Sequence, residues 1–254
     1  MNWWKRFFEP EYYGPTLEGL PEERTECEVE FILSALQLKK GASVLDLCCG
    51  VGRHTIELAR RGFRVTGLDY NEKYLEIARE SASEADVDAG FVKEDMRKIP
   101  GSRKYDAVIN IFTSFGYFES DKENYKVFSA VAGCLKAGGR FFLETMNRDW
   151  VVRNYLEREW FDTPDGITLE ERDFDVREDT VITRWVWIRD GKETEWESRV
   201  KLYPYSTVKR ELKKRGLEIE NSFGDYDGSE YGIDAGRTII VASKKRKRSA
   251  GRGG

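Results

Sequence analysis

The chain has 254 residues, with 42 Lys and Arg against 46 Asp and Glu, a net charge of −4 and a single His. Hydrophobic residues at 40% and aromatics at 13% can fill the core of one sizeable domain, or a domain with an insertion, which excludes disorder and collagen-like repeats for the bulk of the chain. No apolar run approaches the roughly 18 residues of a membrane span, and Met1–Phe8 has no signal-peptide layout, so a soluble, cytoplasmic protein is expected.

Cys27, Cys48, Cys49 and Cys134 are few, and two of them are adjacent, which suits neither a disulfide framework nor a zinc site; no metal is expected. The lone Gln37 in a chain rich in Glu, Lys and Arg matches a thermophile bias toward ion pairs.

In chain order, apolar residues at helical spacing predict an amphipathic helix over Glu22–Leu38, stopped by Lys39-Lys40-Gly41. Strands and helices then alternate: strand Ser43–Leu47, helix Arg53–Arg61, strand Arg64–Leu68, helix Glu72–Ser83, strands Gly90–Lys93 and Tyr105–Ile111, helix Lys122–Leu135 and strand Arg140–Thr145. This alternation predicts a parallel sheet covered on both faces. Thr168–Asp175, Thr180–Arg189 and Glu193–Tyr203 then read as three strands with no helix between them, the last two joined by an Asp190-Gly191 turn. After Pro204 come a helix over Tyr205–Arg215 and strands Leu217–Phe223 and Arg237–Ser243.

The organisation expected is an aromatic segment and cap helix over 1–40, a ligand-binding core over 41–160, an antiparallel insertion over 161–203, a return to the core over 204–243 and a disordered basic tail over 244–254. The tail carries six bases and no acid, leaving residues 1–243 with 36 bases against 46 acids, a net charge of −10.

The most informative stretch is Val44-Leu45-Asp46-Leu47-Cys48-Cys49-Gly50-Val51-Gly52-Arg53, an apolar strand entering a small-residue loop ahead of a helix. Its glycines permit positive φ and close ligand approach, and the helix offers free N–H groups. Asp69 closes the second strand, where an acid accepts hydrogen bonds from ribose hydroxyls; its alternative role is an N-cap for the Glu72 helix. Asp46 and Asp95 stand at comparable strand ends, and such ends converge on one crevice. A dinucleotide dehydrogenase needs Gly-x-Gly-x-x-Gly, but Gly50 and Gly52 are followed by Thr55.

With Gly67-Leu68-Asp69, Glu94-Asp95-Met96, Tyr105–Asn110 and Leu135–Arg140, the loop resembles the ordered motif set of class I S-adenosylmethionine-dependent methyltransferases, closely from Ser43 to Arg140. Cys48-Cys49 departs from the small residues common there. The resemblance implies a Rossmann-like α/β fold, a seven-stranded mostly parallel sheet with a small antiparallel β insertion after the fifth strand. It implies S-adenosyl-L-methionine as cofactor and S-adenosyl-L-homocysteine as product. Cys48, Gly50, Gly52 and Arg53 would then meet the methionine part and Asp46 its amino group. Asp69 would hold the ribose, Tyr70, Asp95 and Met96 the adenine, while Ile111 and Phe112 line the methyl path and Tyr13 (or Tyr12) caps the cofactor.

A sulfonium is already electrophilic, so alignment suffices unless the nucleophile arrives protonated. Tyr117 and Glu144, with Asn147, are the candidates for a catalytic role, and Tyr117 is alternatively an aromatic wall. His54 reads as a packing or hydrogen-bonding residue in the first turn of its helix rather than a base. Trp3, Trp4, Phe7 and Phe8 suit a cap or a core contact, and the insertion, with Trp185, Trp187 and Trp196, suits a substrate lid or a structural flap. The expected acceptor is a small molecule, for a monomer or homodimer without membrane or specific nucleic-acid partners. RNA or protein as acceptor, and a non-catalytic nucleotide-binding module or dehydrogenase, are the alternatives.

Overall fold

The computed structural model describes residues 3–9, 20–100, 104–163 and 166–245. A short helix α1 (Trp3–Phe7) precedes α2 (Glu22–Leu36), after which β1 (Ser43–Leu47), α3 (Arg53–Arg60), β2 (Arg64–Asp69), α4 (Glu72–Glu84) and β3 (Ala89–Lys93) alternate. Then follow β4 (Tyr105–Asn110), α5 (Asp121–Cys134), β5 (Leu135–Met146) and α6 (Arg148–Arg153). The insertion holds β6 (Arg158–Thr163), β7 (Gly166–Asp175), β8 (Thr180–Arg189) and β9 (Lys192–Lys201), and the chain closes with α7 (Tyr205–Lys214), β10 (Leu217–Phe223) and β11 (Arg237–Lys244).

The main sheet has seven strands in the order β10-β11-β5-β4-β1-β2-β3, mostly parallel, with β11 antiparallel to both of its neighbours. Order reverses between β1 and β4, which pair in parallel, so the carboxyl ends of β1 and β4 flank a crevice. The central strands are apolar because both faces are covered. Val44, Ile109 and Phe142 pack with Val29 and Ile32 of α2, while Leu45, Leu47 and Phe141 pack with Phe128 and Val131 of α5. Each such side chain contributes about 1.5–3 kcal/mol by leaving water. No helix of the described residues is long and apolar enough to cross a membrane.

Helix α2 stops at Leu36, short of the predicted Leu38, because Gln37 turns left-handed at φ 49° and donates its N–H to Ser34 O; Leu38 still packs on the α2 side of the sheet. Strand β5 begins at Leu135 rather than Arg140. Leu135 pairs with Tyr105 and Arg140 with Ala107, and the intervening residues bulge through Gly138 at φ 81°. The insertion sheet has four strands, not three, and begins at Arg158. Its additional strand β6 is an edge paired only with β7, and Trp160 there is 74% exposed, so no apolar alternation marks it. Lys244, expected to open the tail, ends β11 and donates to Leu135 O at 2.8 Å; residues 246–254 lie outside the described residues.

The insertion sheet is fastened over the crevice by three contacts. Phe7 of α1 packs with Trp187 and Trp196 on its inner face. Lys201 N donates to Gly116 O at 2.9 Å, and Arg148 pairs with Asp179 at 2.7 Å.

Candidate active site

The loop between β1 and α3 holds a run of left-handed residues, with Cys48 at φ 66°, Gly50 at 53° and Gly52 at 82°. A Cβ on Gly52 would sit 2.9 Å from the Ala78 Cβ, so glycine is required there by space as well as by φ. Cys48 bears the conformation at a cost of about 1–2 kcal/mol, offset by its N–H, which donates to Leu68 O at 2.7 Å beside the Cys49 N–H at 3.0 Å. The loop after β1 is thereby pinned to the end of β2.

Asp69 completes this unit. Its Oδ2 accepts from the Gly50 N–H at 2.9 Å and its Oδ1 from the Asn71 N–H at 2.8 Å. The N-cap of α4 is Asn71, which accepts from Lys73 N and donates its side-chain amide to Phe8 O at 2.7 Å, tying α1 to the site. Asp46, 2% exposed, accepts from Thr55 Oγ1 at 2.7 Å. Burial raises the pKa of Asp46 against the opposing pull of His54, Thr55 and Arg53; burial likewise raises Asp69 against the backbone N–H groups of Asn71 and Gly50. The Cys48 thiol is pushed well up by burial and by Asp69, Asp46 and Asp95, which keeps it protonated and unreactive. Two acids that disfavour each other's charge in a buried cleft make it receptive to a cation. Asp95 differs: burial raises its pKa, but hydrogen bonds from Arg97 outweigh that and hold it low, and Arg97 continues to Glu123 at 2.6 Å.

These residues surround a cavity of about 320 Å³. Of the predicted cofactor residues, Asp46, Cys48, Gly50, Arg53, Asp69, Tyr70, Asp95, Met96, Ile111 and Phe112 line it. Gly52 lies behind the wall as the N-cap of α3. Tyr13, with its alternative Tyr12, falls outside the described residues. The Arg53 guanidinium bonds Thr25 Oγ1 at 2.8 Å and lies 3.7 Å from Glu28, so that charge is already engaged. The cap over the cavity is α1: Trp4 meets Tyr70 edge-on at 4.9 Å, and Phe8 lines the mouth. The sequence offered those aromatics as a cap or a core contact; Asn71 was missed, although an Asn directly before a predicted helix was its signal.

A second cavity, of about 520 Å³, lies between the core and the insertion sheet and shares Phe8, Phe112 and Tyr117 with the first. Phe112 and Thr113 both have positive φ, at 57° and 54°. Glu144 explains how that turn is held. It is 1% exposed, accepts from the Phe112 N–H through Oε2 and from Arg237 Nη1 at 2.9 Å through Oε1, and lines neither cavity. Glu144, expected as a catalytic candidate, thus stands away from both cavities, where it holds the Phe112 turn. Asn147 caps α6 and binds Gly232 O and Ala235 O, both at 2.8 Å. The Tyr117 ring packs on Trp3 at 5.5 Å and Phe8 at 5.3 Å, as a wall. His54 lies 2.8 Å from Glu28 Oε2; burial would raise the Glu28 pKa, but hydrogen bonds from His54 and Arg24 outweigh it and lower it to about 2.

A family model described as a methyltransferase domain matches residues 44–139. A Bacillus subtilis (strain 168) relative, YqeM, provisionally named as a methyltransferase, is 24% identical over 215 residues, covering 82% of this chain and 87% of its own. The dTDP-3-amino-3,4,6-trideoxy-alpha-D-glucopyranose N,N-dimethyltransferase of Streptomyces venezuelae is 30% identical over 145 residues, 55% of this chain and 57% of its own, so the chain matches little over half of that enzyme. The crystal structure of an S-adenosylmethionine-dependent methyltransferase from Clostridium acetobutylicum ATCC 824 superposes with a TM-score of 0.79 at 19% identity, over 95% of this chain and 99% of that one, which establishes the common fold.

Proposed function

This chain is a class I S-adenosylmethionine-dependent methyltransferase, and from that premise we propose that it transfers the methyl group to a small-molecule acceptor lodged between the core and the insertion sheet. Bound in the first cavity, the cofactor supplies a methyl group activated by its sulfonium. Its cationic groups suit the cleft of Asp46 and Asp69, where burial has raised both acids. There Asp69 would accept from the ribose hydroxyls, Asp95 and Met96 would meet the adenine, and Tyr70, packed edge-on against Trp4, would serve as an aromatic shelf.

The observation that carries the reading is the shared lining: Phe8, Phe112 and Tyr117 line both cavities, so the two adjoin there and a group bound in the second would lie beside the first, among aromatic side chains suited to keep water out. The chain's contribution is alignment and dryness. A cavity of about 520 Å³ is within the usual range for small ligands. The relative that methylates a dTDP-amino sugar supports the same acceptor class. The acidic body, net −10 over residues 1–243, argues against a bound nucleic acid.

Incubation with methyl-tritiated S-adenosylmethionine and, separately, a filtered metabolite extract, total RNA and total protein tests this. Label is expected in the metabolite fraction; label confined to RNA or protein overturns the reading.

A further inference from the structure

Across Phe112 the two cavities differ in their charged lining. The first holds the acids Asp46 and Asp69 within a rim of both signs, and the second holds Arg24, paired to Glu28, and Arg237, paired to Glu144 and Asp225. Arg24 reaches its cavity from α2 with its guanidinium 5.5 Å from the Phe112 ring centre. Only its Nε is engaged, donating to Glu28 Oε1 at 2.8 Å; among the described residues Nη1 and Nη2 make no hydrogen bond. Arg237 uses Nη1 on Glu144 at 2.9 Å and Nε on Asp225 at 3.0 Å, leaving Nη2. On the far wall Arg172 is neutralised by Glu159 and Glu170. Unspent guanidinium donors thus gather beside the shared aromatic wall, which itself holds neither a carboxylate nor an imidazole.

A guanidinium with two free terminal nitrogens matches the paired oxygens of a carboxylate or phosphate. We infer that the second cavity takes an anionic acceptor, and that Arg24, assisted by Arg237, holds its carboxylate or phosphate beside Phe112. This rests on the methyl-transfer reading and adds the charge of the substrate. The cofactor's positive groups would then face Asp46 and Asp69 and the acceptor's negative one Arg24 and Arg237, with the reacting atoms meeting where the cavities adjoin.

The test is calorimetric titration of the protein saturated with S-adenosylhomocysteine, using benzoate, phenyl phosphate and benzyl alcohol as probes. At least one anion is expected to bind, its identity separating a carboxylate acceptor from a phosphate one, and benzyl alcohol is not. Arg24→Gln should weaken the anion about tenfold or more, the value of a charged hydrogen bond. Arg24→Lys, which keeps the charge and the contact with Glu28 but not the fork, should fall between. Unchanged affinity for S-adenosylhomocysteine in both variants shows that the fold is intact. Benzyl alcohol binding as well as the anions, no anion binding, or anion affinity indifferent to Arg24→Gln overturns the inference. Failure of S-adenosylhomocysteine itself to bind instead overturns the methyl-transfer reading on which it rests.

Discussion

The Gly50 N–H donates to Asp69 Oδ2 at 2.9 Å, so the loop after the first strand and the acid closing the second are one piece. Replacing Asp69 would therefore remove the proposed ribose acceptor and loosen the loop together. Asp69→Ala is expected to weaken S-adenosylhomocysteine by about 1–3 kcal/mol through hydrogen-bonding groups left unpaired. Because burial raises the Asp69 pKa, affinity should also begin to fall at a higher pH than for an exposed aspartate, as protonation removes the acceptor. Titration of both variants from neutral to acid pH checks this; unchanged affinity in Asp69→Ala removes the residue from the site.

Gly116 joins the aromatic wall to the insertion sheet. At φ 96°, with a built Cβ only 2.1 Å from Lys201 O, it has no room for a side chain. Gly116→Ala should cost at least about 1–3 kcal/mol in strain and displace Tyr117. Gly133→Ala, in α5 with nothing within 4 Å, should be neutral or stabilise by up to about 1 kcal/mol. Urea midpoints of the two variants decide, and equal effects would contradict the close approach.

Tyr117 packs with Trp3 and Phe8 between the two cavities. If its ring is what matters, Tyr117→Phe keeps kcat within about tenfold, below the 100-fold or more that a general base contributes. Tyr117→Ala opens the wall and should lower kcat/KM much further. A Tyr117→Phe variant as damaged as Tyr117→Ala would assign the hydroxyl a chemical role.

Glu28 ties Arg24, Arg53 and His54 beneath the site. Its folded pKa of about 2 lies below the ordinary 4.5, so it contributes stability that is present above about pH 4.5 and lost as pH falls toward 2. Between those values the native protein should lose stability more steeply than Glu28→Gln. Parallel slopes in acid denaturation would show that the network does not couple to folding.

The core was legible because parallel strands buried on both faces leave apolar runs such as Val44-Leu45 and because the Cys48–Gly52 loop and Asp69 stand at strand ends, where a ligand must lie. Strand β6 was illegible because exposed Trp160 and its charged neighbours give no alternation. The left-handed turn at Gln37 depends on a residue that ordinarily continues a helix. The surroundings of Glu144 were illegible for a different reason: a carboxylate near the end of a strand looks the same in sequence whether it faces a ligand or a backbone N–H, and only the Phe112 turn distinguishes them. The second cavity joins α1, α2 and the insertion, elements far apart in the chain, so no local motif announces it.

Methyl transfer as proposed requires the cavity under α1 to bind the methyl donor and its product. Calorimetric titration with S-adenosylhomocysteine measures this most directly. Saturable binding is expected at about one site per chain, well below millimolar and weakened in Asp69→Ala; no binding up to millimolar concentration would overturn the assignment.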